Sequence, residues 1–237
     1  MPVYVPRRRV PVKVRAVERH EVGKRRKYLR RKSWGFKKTR LEVVENGLGF
    51  RVREHVAELC KHGSPVVVDW GCGNGTATAT LAKTNPKARV IGFSKDSYRK
   101  WFSFLHGTKR TNPNTNLRFI HAEAADFARY FKNGTIDLMY SSLGLTHLKN
   151  LNQYLQPLII KLKVGGLIVT DVSTLDEHYY DLFRKATKEN KGEETIHTII
   201  GNRPYDYAQT TYTYSFPNYE IKLYTARNST IQIKRTK

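Results

Sequence analysis

Residues 66–75 read VVVDWGCGNG, and no other stretch constrains the fold of this chain as strongly. Three consecutive β-branched residues suit a strand buried on both faces. The run ends in Asp69 and Trp70 and passes into glycines at alternate positions, Gly71, Gly73 and Gly75. A chain that turns sharply from strand to helix needs φ > 0 at such points, and a side chain there would hold a ligand away from the backbone. Asp69, at the strand tip, can accept hydrogen bonds from a cationic or hydroxylated ligand. The plain alternative is a glycine turn that binds nothing, and the segments that follow weigh against it.

Strand and helix patterns alternate through most of the chain. Apolar residues from Phe50 to Lys61 predict a helix ended by Gly63 and Pro65. A first strand at Pro65–Trp70 precedes a helix at Asn74–Lys83, and a second at Ala88–Phe93 precedes a helix beginning near Asp96. A third strand is expected at Leu117–His121 with a helix near Phe127–Phe131, and a fourth at Ile136–Ser141. A helix at Leu148–Leu162, bent at Pro157, leads through Gly165-Gly166 to a fifth strand at Leu167–Val172. Another helix is expected at Leu175–Glu189. This rhythm predicts a parallel sheet built by right-handed crossovers. The tail then changes character, with strand patterns at Thr210–Tyr214, Tyr219–Thr225 and Thr230–Lys234. The last two read as a hairpin.

The turn separates the main nucleotide-binding possibilities. No G-x-x-x-x-G-K-[ST] pattern exists, so a phosphate-cradling loop with its lysine is absent. The spacing is G-x-G-x-G, whereas dinucleotide-binding folds use G-x-G-x-x-G. Here the chain resembles the class I S-adenosylmethionine-dependent methyltransferases, whose first motif is a strand followed by D-x-G-x-G-x-G. Asp69, Gly71, Gly73 and Gly75 carry the match, with Cys72 where that family often has cysteine. The resemblance covers about residues 50–235. It implies a doubly wound α/β fold, mostly parallel, with about seven strands: five parallel and an antiparallel C-terminal hairpin. It also implies S-adenosyl-L-methionine as cofactor.

In such sheets ligands sit beyond the carboxyl ends of the strands. The implied cofactor site therefore comprises Asp69, Gly71, Cys72, Gly73, Asn74, Gly75, Ser94, Asp96, Asp126, Phe127 and Ser141. Ser94 stands where the family usually has an acidic residue for the ribose hydroxyls, and Asp96, two residues on, is the substitute. Asp126 fits the adenine position, with Glu123 as the alternative, and Phe127 can offer its backbone N–H to the ring. Asp126 could equally cap the next helix, since Asp is a preferred N-cap.

The remaining chemistry is read by exclusion. Ser141-Ser142-Leu143-Gly144 lacks the D/N/S-P-P-Y/F loop used on exocyclic base amines. Neither Cys60 nor Cys72 stands where carbon-5 pyrimidine methylation needs a nucleophile. Lys38, Asp137, Lys163 and Glu177 match a ribose-methylating K-D-K-E tetrad only if Asp137 is ignored as the residue opening the fourth strand. His147 and Asp171 remain as candidate bases, with a structural histidine as the alternative for His147. No residue set has metal-ligand spacing.

Charge carries the second message. The 237 residues include 43 Lys/Arg and 20 Asp/Glu, a net of +23. Residues 1–40 hold 16 Lys/Arg and two acids, a net of +14. Such a footprint favours polyanions, because neutralised phosphates release counterions. The expected partner is nucleic acid, RNA more than DNA, through Arg7, Arg8, Arg9, Arg25, Arg26, Lys27, Arg30, Arg31, Lys37 and Lys38. The sequence divides into a basic arm with a short helix over residues 1–45 and a methyltransferase-like domain over 46–237. No apolar run is long enough to span a membrane. Two cysteines and no secretory h-region give an intracellular expectation, cytoplasmic by default, with nucleus and mitochondrion left open. The expected function is methylation of RNA. The same fold methylating a protein or small molecule, or a silent RNA-binding domain, are the alternatives.

Overall fold

The computed structural model describes residues 40–107, 114–142, 145, 151–172, 193–199, 209–225 and 229–237. All of them fall within one compact unit, Lys38–Lys237. Residues 1–39 of the basic arm, His147 and the helix expected at Leu175–Glu189 lie outside the described residues.

Among the described residues, nine strands form one sheet. The first five are β1 (Val66–Trp70), β2 (Arg89–Ser94), β3 (Leu117–His121), β4 (Ile136–Ser141) and β5 (Leu162–Val172), all mutually parallel. Helices α3 (Thr76–Thr84), α4 (Arg99–His106), α5 (Phe127–Tyr130) and α6 (Leu151–Ile159) lie in the crossovers. The strand order reverses at β1, whose neighbours are β2 and β4, so the first glycine turn stands at the switch point. The expected doubly wound sheet with five parallel strands is what forms.

The C-terminal hairpin is also present: β8 (Tyr219–Thr225) pairs with β9 (Ser229–Arg235), and β9 runs antiparallel to β5. The strand count needs correction. Beyond β8 come β7 (Gln209–Ser215) and β6 (Glu193–Ile199), both antiparallel, so the sheet has nine strands rather than about seven, in the order β3-β2-β1-β4-β5-β9-β8-β7-β6. The segment EETIHTI alternates imperfectly, which hid β6 from a period-two reading. Strand β5 begins at Leu162, five residues earlier than its apolar run. Gly165 takes φ 82°, and the register of β4 against β5 shifts between Ile136 and Leu138. The expected turn is thus absorbed inside the strand as an irregularity.

Side chains alternate across the sheet. Val67, Leu138, Tyr140 and Val169 point into a core shared with α1 (Leu41–Leu48), α2 (Val52–Leu59) and α3. Val68, Trp70, Met139 and Ile168 point into the opposite core, with Phe93, Phe127 and Phe131. Helix α1 is not expected from sequence, and its first five residues fall in the expected arm, yet Leu41, Val44 and Leu48 are buried in the domain's core. Its end is a Schellman motif: Gly49 takes φ 57° and donates to the Asn46 carbonyl, while the Phe50 N–H donates to that of Glu45. Pro157 falls inside α6 as expected.

Candidate functional site

The glycine turn is built by its own backbone requirements. Gly71, Gly73 and Gly75 take φ of 76°, 51° and 77°, all in the left-handed region. The Gly71 and Cys72 amides both donate to the Phe93 carbonyl, at 2.8 and 3.3 Å, which ties the turn to the tip of β2. Gly75 N–H donates to the Cys72 carbonyl at 2.9 Å. Asn74 Oδ1 accepts from the Thr76 amide and from Thr76 Oγ1, at 3.0 and 2.6 Å, and so closes the first turn of α3. Among the described residues, the Gly73 and Asn74 amides have no acceptor. A Cβ on Gly73 would meet nothing within 4 Å, whereas one on Gly75 would strike Phe119 at 2.5 Å. Bare main chain therefore faces open space at Gly73, and packed rings lie beneath Gly75.

Asp69 lies under this turn and not on its rim. It is buried, and its Oδ2 accepts a 2.6 Å hydrogen bond from Thr78 Oγ1 of α3. Tyr140, its cross-strand neighbour on β4, comes near from the other side, although its hydroxyl makes no hydrogen bond of full geometry. Burial pushes the Asp69 carboxyl up to about 6, against the smaller opposing effects of Thr78 and Tyr140. The same burial, with the Asp69 charge adding to it, drives the Cys72 thiol far above its usual range. Cys72 also differs from the sequence expectation in direction. Its sulfur sits 2.9 Å from where a Cβ on Gly92 would be and donates weakly to the Gly73 carbonyl at 3.8 Å, so the half-buried side chain packs beneath the turn.

The other expected cofactor residues line the tips of successive strands. Ser94 is buried at the end of β2, and its Oγ accepts the Asp96 amide at 3.2 Å. That bond holds Asp96 on the exposed loop directly after the strand. Asp126 ends the short 3-10 turn Ala124–Asp126 after β3 and pairs with Arg129 at 2.8 Å, so an ion pair already occupies it in part, while as the N-cap of α5 it makes no side-chain capping bond. The Phe127 amide donates to the Ala124 carbonyl, which corrects the expectation that it is open to a ligand; the Phe127 ring is core. Ser141 is buried and its Oγ accepts the Leu145 amide at 2.9 Å, so it shapes the loop after β4. Asp171, at the tip of β5, accepts from Ser142 Oγ at 3.1 Å beneath Gly47 of α1. Among the described residues, Asp137 and Lys163 of the rejected tetrad are at the wrong pole. Asp137 accepts the Val66 amide and pairs with Lys163, both at 2.7 Å, where β1 and β4 begin.

Sequence reasoning missed the residues that brace the turn. Trp101 of α4 donates from Nε1 to the Gly73 carbonyl at 2.9 Å and stacks on Phe119, with centroids 4.7 Å apart and planes 6° from parallel. Lys100 Nζ donates to Thr76 Oγ1 at 2.9 Å. Thr78 is the inward member of the TATAT run, while Thr80 and Thr84 bond back to carbonyls of their own helix. A tryptophan on the buried face of an amphipathic helix carries no sign that its indole N–H will meet a glycine carbonyl. Away from the turn, a cleft of about 330 Å³ opens on the opposite face of the sheet, between Ala124–Ala128 and the Tyr154–Leu158 side of α6. It shares Phe127 with the candidate adenine region but does not reach the glycine turn.

Comparison with known proteins gives the family. A family described as a methyltransferase domain matches residues 61–216. The trans-aconitate 2-methyltransferase of Deinococcus radiodurans is 30% identical over 112 residues, covering 47% of this chain and 39% of that protein. The tRNA (guanine-N(7)-)-methyltransferase of Mycobacterium avium is 38% identical over 63 residues, covering 27% of this chain and 24% of that protein. Among solved structures, the antibiotic-resistance methyltransferase Kmr is 15% identical with a TM-score of 0.48, over 78% of this chain and 94% of that one. The chain thus spans less than half the length of these curated relatives. It belongs to the class I S-adenosylmethionine-dependent methyltransferases, and S-adenosyl-L-methionine is the cofactor of that family.

Proposed function

We propose that this domain transfers the methyl group of S-adenosylmethionine to RNA. The cofactor half rests on the bare Gly73 backbone at the switch point of the sheet, with two amides open to a carboxylate and a buried acid below. The cofactor supplies an electrophilic methyl group whose leaving group departs neutral, so alignment of the acceptor is the domain's main task. Asp69 supports the turn that would seat the amino-acid end, and Asp96 stands where the ribose hydroxyls would lie. Asp126 would border the adenine. Asp171 holds Ser142 at the rim, and His147 stays the candidate base in the loop after β4.

The RNA half is carried by one observation, the net charge of +23 concentrated in residues 1–40. The tRNA enzyme among the relatives points the same way, whereas the trans-aconitate enzymes support a small-molecule acceptor. In the experiment, the full chain receives methyl-labelled S-adenosylmethionine together with separate RNA, protein and small-molecule fractions of a cell extract. Label is expected in RNA and is expected to be released by ribonuclease. Label confined to another fraction would sink the RNA half. Ser94 favours a second reading, a silent RNA-binding domain, and calorimetry that detects no cofactor binding would select it.

The ribose assignment has its own test. Asp96→Asn is expected to weaken cofactor binding about tenfold or more, because a hydrogen bond to a charged group contributes roughly 1.5–3 kcal/mol. The exposed position makes a folding defect an unsuitable explanation. Equal affinities in calorimetry would show that the ribose is held elsewhere.

A further inference from the structure

We propose that the solvent face of α4, with the adjoining tips of β2 and β3, is the track on which a single-stranded RNA segment lies as it approaches the glycine turn. This rests on the RNA reading above and gives it a surface within the folded domain.

The first observation is where the charge lies once the arm is set aside. Residues 41–237 carry a net of +9. Residues 85–121 alone contain eight Lys/Arg and a single acid, Asp96, a net of +7. Six of these eight cations are among the described residues of the stretch containing β2, α4 and β3, at one edge of the sheet: Lys87 and Arg89 where β2 begins, Lys95 after its tip, Arg99 and Lys100 on α4, and Arg118 on β3. The remaining strands and helices are close to neutral, so a uniform solubilising surface does not describe this chain.

The second observation is the kind of side chain set among those cations. Helix α4 turns Trp101 into the fold and sends Arg99, Phe102 and His106 outward. Phe102 is 67% exposed and touches the His106 ring, with centroids 4.3 Å apart. Tyr98, one residue before the helix, is 38% exposed and leans on Trp101 at 5.8 Å. One exposed phenylalanine is ordinary on a protein surface. Phe102 and His106 side by side on a helix that opens with exposed Arg99, with exposed His121 bonded to the Lys95 carbonyl at the tips of β3 and β2, are the composition of a stacking platform with phosphate contacts. Stacking requires bases free of a partner strand, which favours single-stranded RNA over a duplex.

The third observation connects this face to the chemistry. The same helix is fastened to the glycine turn by Trp101 Nε1 on the Gly73 carbonyl and by Lys100 Nζ on Thr76, both at 2.9 Å. A strand resting on the outward side of α4 therefore lies one helix thickness from the cofactor's backbone cradle. The helix of eight residues is about 12 Å long, enough for a short run of nucleotides.

Binding of the full-length protein to a fluorescein-labelled oligouridylate and to an RNA duplex of equal length, followed by anisotropy at several salt concentrations, tests the proposal. Phe102→Leu keeps the apolar bulk and removes the aromatic face. It is expected to weaken single-strand binding about tenfold while leaving duplex binding unchanged, and Phe102→Trp is expected to restore wild-type affinity. Arg99→Gln should reduce the salt slope on the single strand by about 0.7. Unaltered single-strand affinity in Phe102→Leu, with wild-type protein binding RNA, overturns this surface and leaves the RNA reading standing. Wild-type protein that binds neither probe overturns both. Cofactor affinity in Phe102→Leu, expected to equal wild type, confirms that α4 still braces the turn; its loss together with RNA binding in the leucine and tryptophan variants alike would make Phe102 structural and overturn the proposal.

Discussion

Alanine at Gly75 is expected to destabilise the domain by roughly 2–5 kcal/mol, combining left-handed strain with overpacking. The new methyl would sit 2.5 Å from two ring carbons of Phe119 and 3.1 Å from Trp101 Cδ1, at a φ of 77°. Neither ring can yield easily. They stack on each other at 4.7 Å, and Trp101 is tethered to the Gly73 carbonyl. Alanine at Gly73 meets open space, so only backbone strain of about 1–2 kcal/mol remains. Calorimetric melting of the two variants separates these effects. Gly75→Ala should melt far below Gly73→Ala, while Gly73→Ala should show the more specific loss of cofactor affinity. Equal melting temperatures would remove the packing explanation for the last glycine.

The second large effect concerns Asp69. Its carboxyl is raised to about 6 in the folded domain by burial, from an ordinary value of 3.8. At pH below about 3.8 the group is protonated folded or unfolded and contributes nothing. As pH rises towards 6 the unfolded chain gives up the proton first, so stability falls, and above 6 the full penalty stands. A shift of about two pKa units corresponds to about 3 kcal/mol. Asp69→Asn keeps an oxygen for Thr78 and loses the charge. It is expected to melt higher than wild type at pH 7.5, with the gap closing as pH drops to 4. Cofactor affinity should move the other way, since a buried carboxylate is the counter-charge available to a cationic ligand at the turn. A variant that melts lower than wild type at both pH values would make Asp69 a purely structural partner of Thr78.

The parallel half of the fold was legible because its signals are local. VVVDW, RVIGFS and IDLMYS are short apolar runs bounded by turn residues, and their crossovers follow the rhythm of the chain. Helix α1 was harder to read. Its Gly49 cap is a normal sequence signal, but the run of cations upstream drew residues 41–45 into the arm. Strand β6 depends on pairing with β7, a long-range effect invisible within EETIHTI. At the site, the glycines were readable because φ > 0 leaves a mark on composition. Thr78, Trp101 and Lys100 were not, since each acts through a tertiary contact that ordinary helix residues also could have made elsewhere. Ser94 shows a middle case: its departure from the family pattern was visible, but not that its hydroxyl holds the Asp96 amide.

The inward turn of Cys72 has a practical outcome. Its half-buried sulfur lies beside Gly92, where burial strongly disfavours proton loss, so alkylation should be slow while the turn stays closed. The speed at which Cys72 is labelled becomes a clock for breathing of the cofactor cradle, and anything that settles there should slow it.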